Sequence, residues 1–436
     1  MSEPIPAGRA PDDPYAPPVP AATPSVPLAP VAAGERVEIL DVLRGFAIFG
    51  ILLVNMALFF SPMHLQVLNE PALTGPLDAL AHKLMVFFAQ GKFYSLFSFL
   101  FGIGLAIQME RAVARGRKVG GFFARRMFWL LLIGLAHAFL LWFGDILVLY
   151  SLMGFVLLLF RNAKPKTLAV WAAILLAVPI LLGIGQTGLF LMARAAGPAA
   201  VQPWLDAIGE FEQGLREGAA AAYQAYSGSW SDVFAARAGE WWLIFPFLML
   251  NFTWIVLALF VIGLRFGKTR FFHRLEDNLP AIRRWVGPLF AAGLALNFLS
   301  VLLAGRVEPM TPSLATLGYQ ALSVIAPPIL SAAYVAAICL LWQRPGWRRG
   351  LDMLAPVGRM ALSNYLMHSV VFTTVSYGYG FGLYGEISYL EGLGLTVLMF
   401  ALQIPLSAWW LRRFRFGPLE WLWRSLSYRR MQPMRR

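Results

Sequence analysis

Predominantly apolar runs long enough to cross a lipid bilayer recur along this chain from residue 39 to residue 412. A helix of about 20 such residues spans a hydrocarbon core of about 30 Å. The repetition limits the chain to one class of fold, an all-α polytopic membrane protein. Composition agrees: 58% of residues are hydrophobic and 14% charged, against roughly 25% charged in soluble domains. About ten transmembrane helices are expected, over 39–61, 82–110, 122–143, 145–160, 167–193, 240–265, 284–305, 314–342, 356–381 and 390–412. The stretch 82–110 exceeds what a bilayer needs and contains Gly91, Gly102 and Gly104, so it is expected to tilt or break.

An even number of crossings puts both termini on one side, and the basic residues say which. The connections after segments two, four, six and eight, together with the C-terminal tail, hold most of the 36 lysines and arginines. The opposite connections hold few, such as Arg194, Arg216, Arg237 and Arg306. Positive charge is retained inside, so both termini are expected in the cytoplasm. The net charge of +13 then suits an anionic lipid surface, and no nucleic-acid partner is needed to explain it. Cys339 is the single cysteine, which excludes an intramolecular disulfide framework.

Residues 1–34 are proline-rich and poor in large apolar side chains, so they read as a disordered cytoplasmic head rather than a cleaved signal. The transmembrane domain follows over 35–412. Within it 194–239 forms an external segment, in which Trp204 to Tyr226 suits either an amphipathic surface helix or a lid. Residues 413–436 form a basic interfacial tail, where Pro418, Trp421 and Trp423 suit a short helix at the inner headgroups.

Polar residues inside apolar helices are costly, so they mark candidate sites. Arg44 and Asn55, and likewise Arg126 and His137, lie eleven residues apart. That is close to three helical turns, so each pair shares a face with members about 16 Å apart. Each helix thus offers a cation near one membrane face and a polar group at depth. Asp41 can pair with Arg44, either as a structural ion pair or as part of a mouth for an anionic ligand. Arg359 joins that mouth. Lys92 has no acid one turn away, so its partner is expected from another helix. The tight turn Gly144-Asp145 can fold back on His137, which would fix the imidazole's tautomer and raise its basicity. Asn364 and His368 share a face, which makes His368 a rival to His137. His64 and His82 read as interfacial residues. No nucleotide loop, dinucleotide fingerprint, zinc-spaced cluster or serine elbow is present, so metal and nucleotide chemistry are unsupported.

Several segments together resemble the YeiB-like family of bacterial multi-pass inner-membrane proteins, whose C-terminal half, about 240–424 here, is known only as a domain of unknown function. They are Leu40-Asp41-Val42-Leu43-Arg44-Gly45, Gly50 to Asn55, Gly91-Lys92-Phe93 with Leu96-Phe97-Ser98 and Leu100-Phe101-Gly102, His137 with Gly144-Asp145-Ile146-Leu147, Gly358 to Tyr365, and Gly417 to Arg424. The match runs over nearly the whole chain after its head. That family looks like a branch of a wider group of transmembrane acyltransferases, which includes heparan-glucosaminide N-acetyltransferases and bacterial sugar O-acetylases. Members of the group carry an acyl group from cytoplasmic acyl-CoA to an acceptor on the far side, using a buried histidine. An arginine followed by a polar residue eleven positions on is shared. Here that residue is Asn55, as in the glucosaminide enzymes, but their catalytic histidine is replaced by Gln66, with His64 nearby. The histidine role therefore falls to His137 by argument from the residues, not from the resemblance.

The expected function is transfer of an acyl group from acyl-CoA, as co-substrate, to a cell-envelope sugar or lipid. Asp41, Arg44, Arg126 and Arg359 would hold the donor phosphates. His137 with Asp145 would act as base or transient acyl carrier, Asn55 and Lys92 would stabilise the oxyanion, and Asn364 would belong to the polar core. No permanently bound cofactor or metal is expected. Two alternatives remain open: a transporter or channel for a small polar or anionic solute, and a non-catalytic scaffold or sensor.

Overall fold

Local chemistry sets where each helix begins and ends. In chain order the elements are α1 (Glu38–Phe60), α2 (Met63–Val67), α3 (Pro76–Phe88), α4 (Lys92–Ala114), α5 (Val119–Leu140), α6 (Leu147–Leu157, prolonged by a 3-10 turn to Phe160), α7 (Pro165–Ala196), α8 (Pro198–Tyr226), α9 (Trp230–Lys268), α10 (Leu275–Ala304), α11 (Leu314–Trp342), α12 (Pro345–Asp352), α13 (Ala355–Arg359), α14 (Ala361–Ser376), α15 (Tyr389–Arg413) and α16 (Pro418–Tyr428). The structure is a computed structural model and describes residues 37–72, 75–114, 119–308 and 310–436. The expected head 1–34 lies outside the described residues. Capping boxes at Ser229/Asp232 and Ser388/Glu391 start α9 and α15, satisfying backbone donors that would otherwise be orphaned. Proline occupies the first turn of α7 and α16, where no intrahelical N–H is lost.

Among the described residues, seven helical passes are long and apolar enough to cross a membrane, α3 and α4 counting together as one. This is an all-α polytopic membrane protein. The long second segment does break. Gly91 adopts φ +84 between α3 and α4, a left-handed conformation that glycine takes without strain. Two other expected crossings are corrected. Leu147–Phe160 is a short apolar helix, about 21 Å by its rise, against a core of about 30 Å. Residues 356–381 split at Met360 into α13 and the 16-residue α14. The irregular stretch from Leu141 to Ile146 therefore lies beside α6 inside the bundle, where Trp142 and Phe143 are fully packed. Non-helical backbone at such depth is tolerated only when protein surrounds it.

α1 lies at the centre, packed against α4, α11, α13, α14 and α15. Leu40, Val42, Leu43, Ala47, Ile48, Leu52 and Met56 are all buried on it. α10 pairs with α11 at the periphery and leaves Phe298, Leu299 and Leu302 exposed, as a lipid-facing helix should. The α1–α13 crossing is made at Gly45 and Gly358. A Cβ on Gly358 would stand 1.9 Å from the Asp41 carbonyl oxygen, and one on Gly45 2.2 Å from that of Leu354. Small residues let backbones approach this closely, and in lipid such packing replaces the hydrophobic driving force.

The basic connections gather at one end. Lys268 donates to the Arg161 and Ala163 carbonyls, Arg270 pairs with Glu110, Arg348 lies 3.6 Å from Glu38, and Arg125 donates to the Ser427 carbonyl. The segment expected to be external is helical as α8, which follows α7 through Gly197 and packs on α2 and α9 at the other end.

Candidate active site

Asp145 lies near the end of the irregular stretch after α5, and its two carboxylate oxygens have separate tasks. Oδ1 accepts the Val148 N–H in the first turn of α6 at 2.7 Å. Oδ2 lies 2.6 Å from His137 Nδ1. A carboxylate only accepts, so Nδ1 carries the proton and Nε2 is left as an acceptor. Ser369 of α14 lies 2.8 Å from that Nε2, so its hydroxyl donates to it. Serine, histidine and aspartate thus form one hydrogen-bonded line in which the base is oriented by an acid and faces a hydroxyl. Ser369 and His137 are 0% and 1% exposed, so the line is dry.

Towards the basic end a cavity of about 300 Å³ opens between α1, α4, α5, α13, α14 and α16. Its walls carry Asp41, Arg44, Arg111, Arg126, Arg359, Arg415, Glu420 and Arg424, an excess of four positive charges from six arginines and two carboxylates. Arg44 donates to Asp41 at 2.6 Å. The Arg126 guanidinium stacks on the Trp423 ring, 3.6 Å from its centroid, while Trp423 Nε1 donates to the Arg126 carbonyl. Tyr365, Ile146 and Tyr150 also line the cavity. Tyr365 stands one helical turn before Ser369, and its ring lies 5.2 Å from that of His137. It is the wall between the cavity and the triad.

The structure gathers the four residues expected at the donor mouth into this cavity and joins His137 to Asp145 behind it. It does not bring the others there. Lys92 caps the broken end of α3, donating to the Val86 carbonyl at 2.9 Å, and its partner is a carbonyl across the break rather than an acid on another helix. Asn55 is half-buried on α1 and absent from the cavity wall. Asn364 and His368 face α15: His368 Nε2 donates to Gln403 Oε1 at 2.8 Å, and Asn364 donates to Ser407 and to the Val357 carbonyl. This is an interhelical polar ladder. Ser369 was not legible in the sequence, since 232 positions separate it from His137 and no motif marks it.

The cavity is closed by α16 through one carboxylate. Glu420 accepts the backbone N–H groups of Leu362 (2.7 Å) and Ser363 (3.1 Å) and the Ser363 hydroxyl, capping α14 from another part of the chain. Burial pushes the Glu420 carboxyl above the usual range, against the opposing pull of those donors. Glu420→Ala leaves buried donors without an acceptor and is expected to cost about 3 kcal/mol. The readout is the unfolding temperature of the purified chain; no drop would mean that α16 does not hold α14.

A basic cavity leading to a buried serine–histidine–aspartate line, within an all-α bundle, defines a multi-pass membrane protein with an internal polar site. The chain belongs to the YeiB-like, DUF418 family: residues 266–430 match the model described as "Protein of unknown function (DUF418)". It is 36% identical over 424 residues to the uncharacterised protein YxaH of Bacillus subtilis strain 168, covering 93% of this chain and 98% of the relative. An uncharacterised 39.9 kDa protein from the amylase 3' region of Bacillus acidopullulyticus is 30% identical over 93% of this chain and 97% of its own length. The uncharacterised protein YeiB of Escherichia coli K12 is 28% identical over 92% and 98%.

Proposed function

We propose that this protein is an acyltransferase of the bacterial cytoplasmic membrane, using acyl-CoA as donor and an acceptor from the cell envelope. The observation that supports it is the Ser369–His137–Asp145 line set one aromatic side chain behind a six-arginine cavity. In this reading the cavity opens to the cytoplasm. Arg44, Arg126 and Arg359 hold the donor phosphates, and the acyl-bearing arm reaches past Tyr365.

Ser369 Oγ attacks the thioester carbon, forming a C–O bond as the C–S bond breaks. The serine proton passes to His137 Nε2 and then to the leaving thiolate. In the second half the acceptor's N–H or O–H gives its proton to His137 and its heteroatom takes the acyl group. The C–O bond to Ser369 breaks and the proton returns to Ser369 Oγ. Asp145 keeps His137 in the tautomer that both halves need.

The test uses purified chain in lipid nanodiscs with acyl-labelled acyl-CoA. Wild type is expected to take up label on Ser369, and Ser369→Ala and His137→Ala to take up none. Arg126→Ala and Arg359→Ala should each weaken donor binding about tenfold, the loss of one charged hydrogen bond. Acyl transfer that survives His137→Ala removes the reading. Transport of a small polar solute is the second reading, favoured by the helix breaks at 141–146 and Met360 beside the polar core; solute uptake by proteoliposomes without acyl-CoA would select it.

A further inference from the structure

A second buried polar cluster lies at the opposite end of the bundle from the arginine cavity, and it is unsatisfied. Arg237, in the second turn of α9, is 0% exposed; its Nη1 donates to the Phe139 carbonyl at 3.0 Å, while Nε and Nη2 have no partner. Glu240 follows one turn later at 6% exposure. Its Oε2 accepts the Tyr226 hydroxyl, and Oε1 has no hydrogen bond. The two charges sit on one helix face without pairing. Around them Tyr377 and Tyr384 stack on the Tyr226 ring at 4.6 and 4.8 Å, and each keeps an unpartnered hydroxyl. His64 Nδ1 lies 3.7 Å from Glu240 Oε1, too far for a hydrogen bond.

Native proteins leave few buried polar atoms unpaired, because each costs free energy. Six at one place form a set of contacts that a polar ligand would complete. The chemistry of the set selects its complement. An anion alone would meet the Glu240 carboxylate, and a cation alone would meet Arg237. The guanidinium donors and tyrosine hydroxyls suit an anionic group, and the carboxylate with His64 suits an ammonium. The two residues that carry the charges are about one helical turn apart on α9, some 5 Å along its axis.

We propose that this cluster is a binding site for a zwitterion bearing a primary amine and a phosphate, the aminoalkyl phosphate class. A lipid headgroup and a free phosphoamine share that chemistry. On the acyltransferase reading, on which this part rests, the amine is the acceptor. Arg237 is tied to the end of α5 two residues past His137, and Trp142 and Phe143 link the two clusters: Trp142 is 6.3 Å from the His137 ring, Phe143 6.5 Å from Tyr226.

The full chain is placed in nanodiscs of phosphatidylglycerol alone, with no acyl donor, and titrated with O-phosphoethanolamine by calorimetry. Saturable binding is expected. Arg237→Gln and Glu240→Gln should each weaken it at least tenfold, and Tyr384→Phe, which removes one hydroxyl and keeps the ring, severalfold. Ethanolamine or inorganic phosphate alone should bind at least tenfold more weakly. Asp145→Asn should bind as wild type, and failed acyl transfer by the wild-type chain with binding intact removes the enzyme and leaves the site. Suppression of binding in nanodiscs containing phosphatidylethanolamine assigns the site to the lipid headgroup, and unchanged binding assigns it to the free compound. No saturable binding, equal binding of phosphate alone or of D-glucose, or binding unaltered in both charge variants overturns the proposal.

Discussion

On the acyltransferase reading, Asp145→Asn is expected to lower acyl transfer by roughly 10³- to 10⁴-fold, the size of effect seen when a triad histidine is held in the wrong tautomer. The substitution is nearly isosteric. The amide oxygen still accepts the Val148 N–H, so the start of α6 keeps its cap. The amide NH₂ then faces His137 Nδ1, which becomes an acceptor and moves the imidazole proton to Nε2. Nε2 can no longer take the proton of Ser369. The measurements are turnover of labelled acyl-CoA and the unfolding temperature, side by side. A turnover within tenfold of wild type would show that the histidine's tautomer is immaterial to function.

Much of the scaffold was legible because bilayer crossing imposes length and apolarity on a segment independently of its neighbours. The helices containing 39–61, 167–193, 314–342 and 390–412 were readable for that reason. The break near Gly91 was also signalled, by excess length together with glycine. The short α6 and the split at Met360 were not, because the apolar pattern runs through both interruptions. That Asp41, Arg44, Arg126 and Arg359 gather at one cavity was legible from their depth on helices, and the His137–Asp145 contact from a tight turn. Lys92 misled because the helix was taken to start at His82, whereas it is the first residue of α4. Ser369, Arg237 and Glu240 depend on tertiary neighbours that no local spacing encodes.

Gly358→Val is expected to abolish stable folding or to lower the unfolding temperature sharply. The new Cβ would stand 1.9 Å from the Asp41 carbonyl oxygen and 2.7 Å from Gly45 N, both backbone atoms that no rotamer change can clear. α1 and α13 must separate, at a cost at or above the roughly 3 kcal/mol upper range of ordinary overpacking. Asp41, Arg44 and Arg359 flank this crossing, so any protein that does fold should bind donor poorly. Gly346→Ala is the control, since a Cβ there meets nothing within 4 Å. Comparable yields and melting curves for the two variants would show that the tight α1–α13 approach is dispensable.

The cap that Glu420 places on α14 has a consequence for biogenesis. Arg415, Glu420, Trp423, Arg424 and Tyr428, all part of the cavity wall, follow α1 to α15 in chain order and so leave the ribosome after them. Every upstream helix can insert while the cavity still lacks one side, so a nascent chain has no complete cavity until α16 has been made. A stop codon just after α15 would then yield a protein that inserts into membrane but never gains that wall.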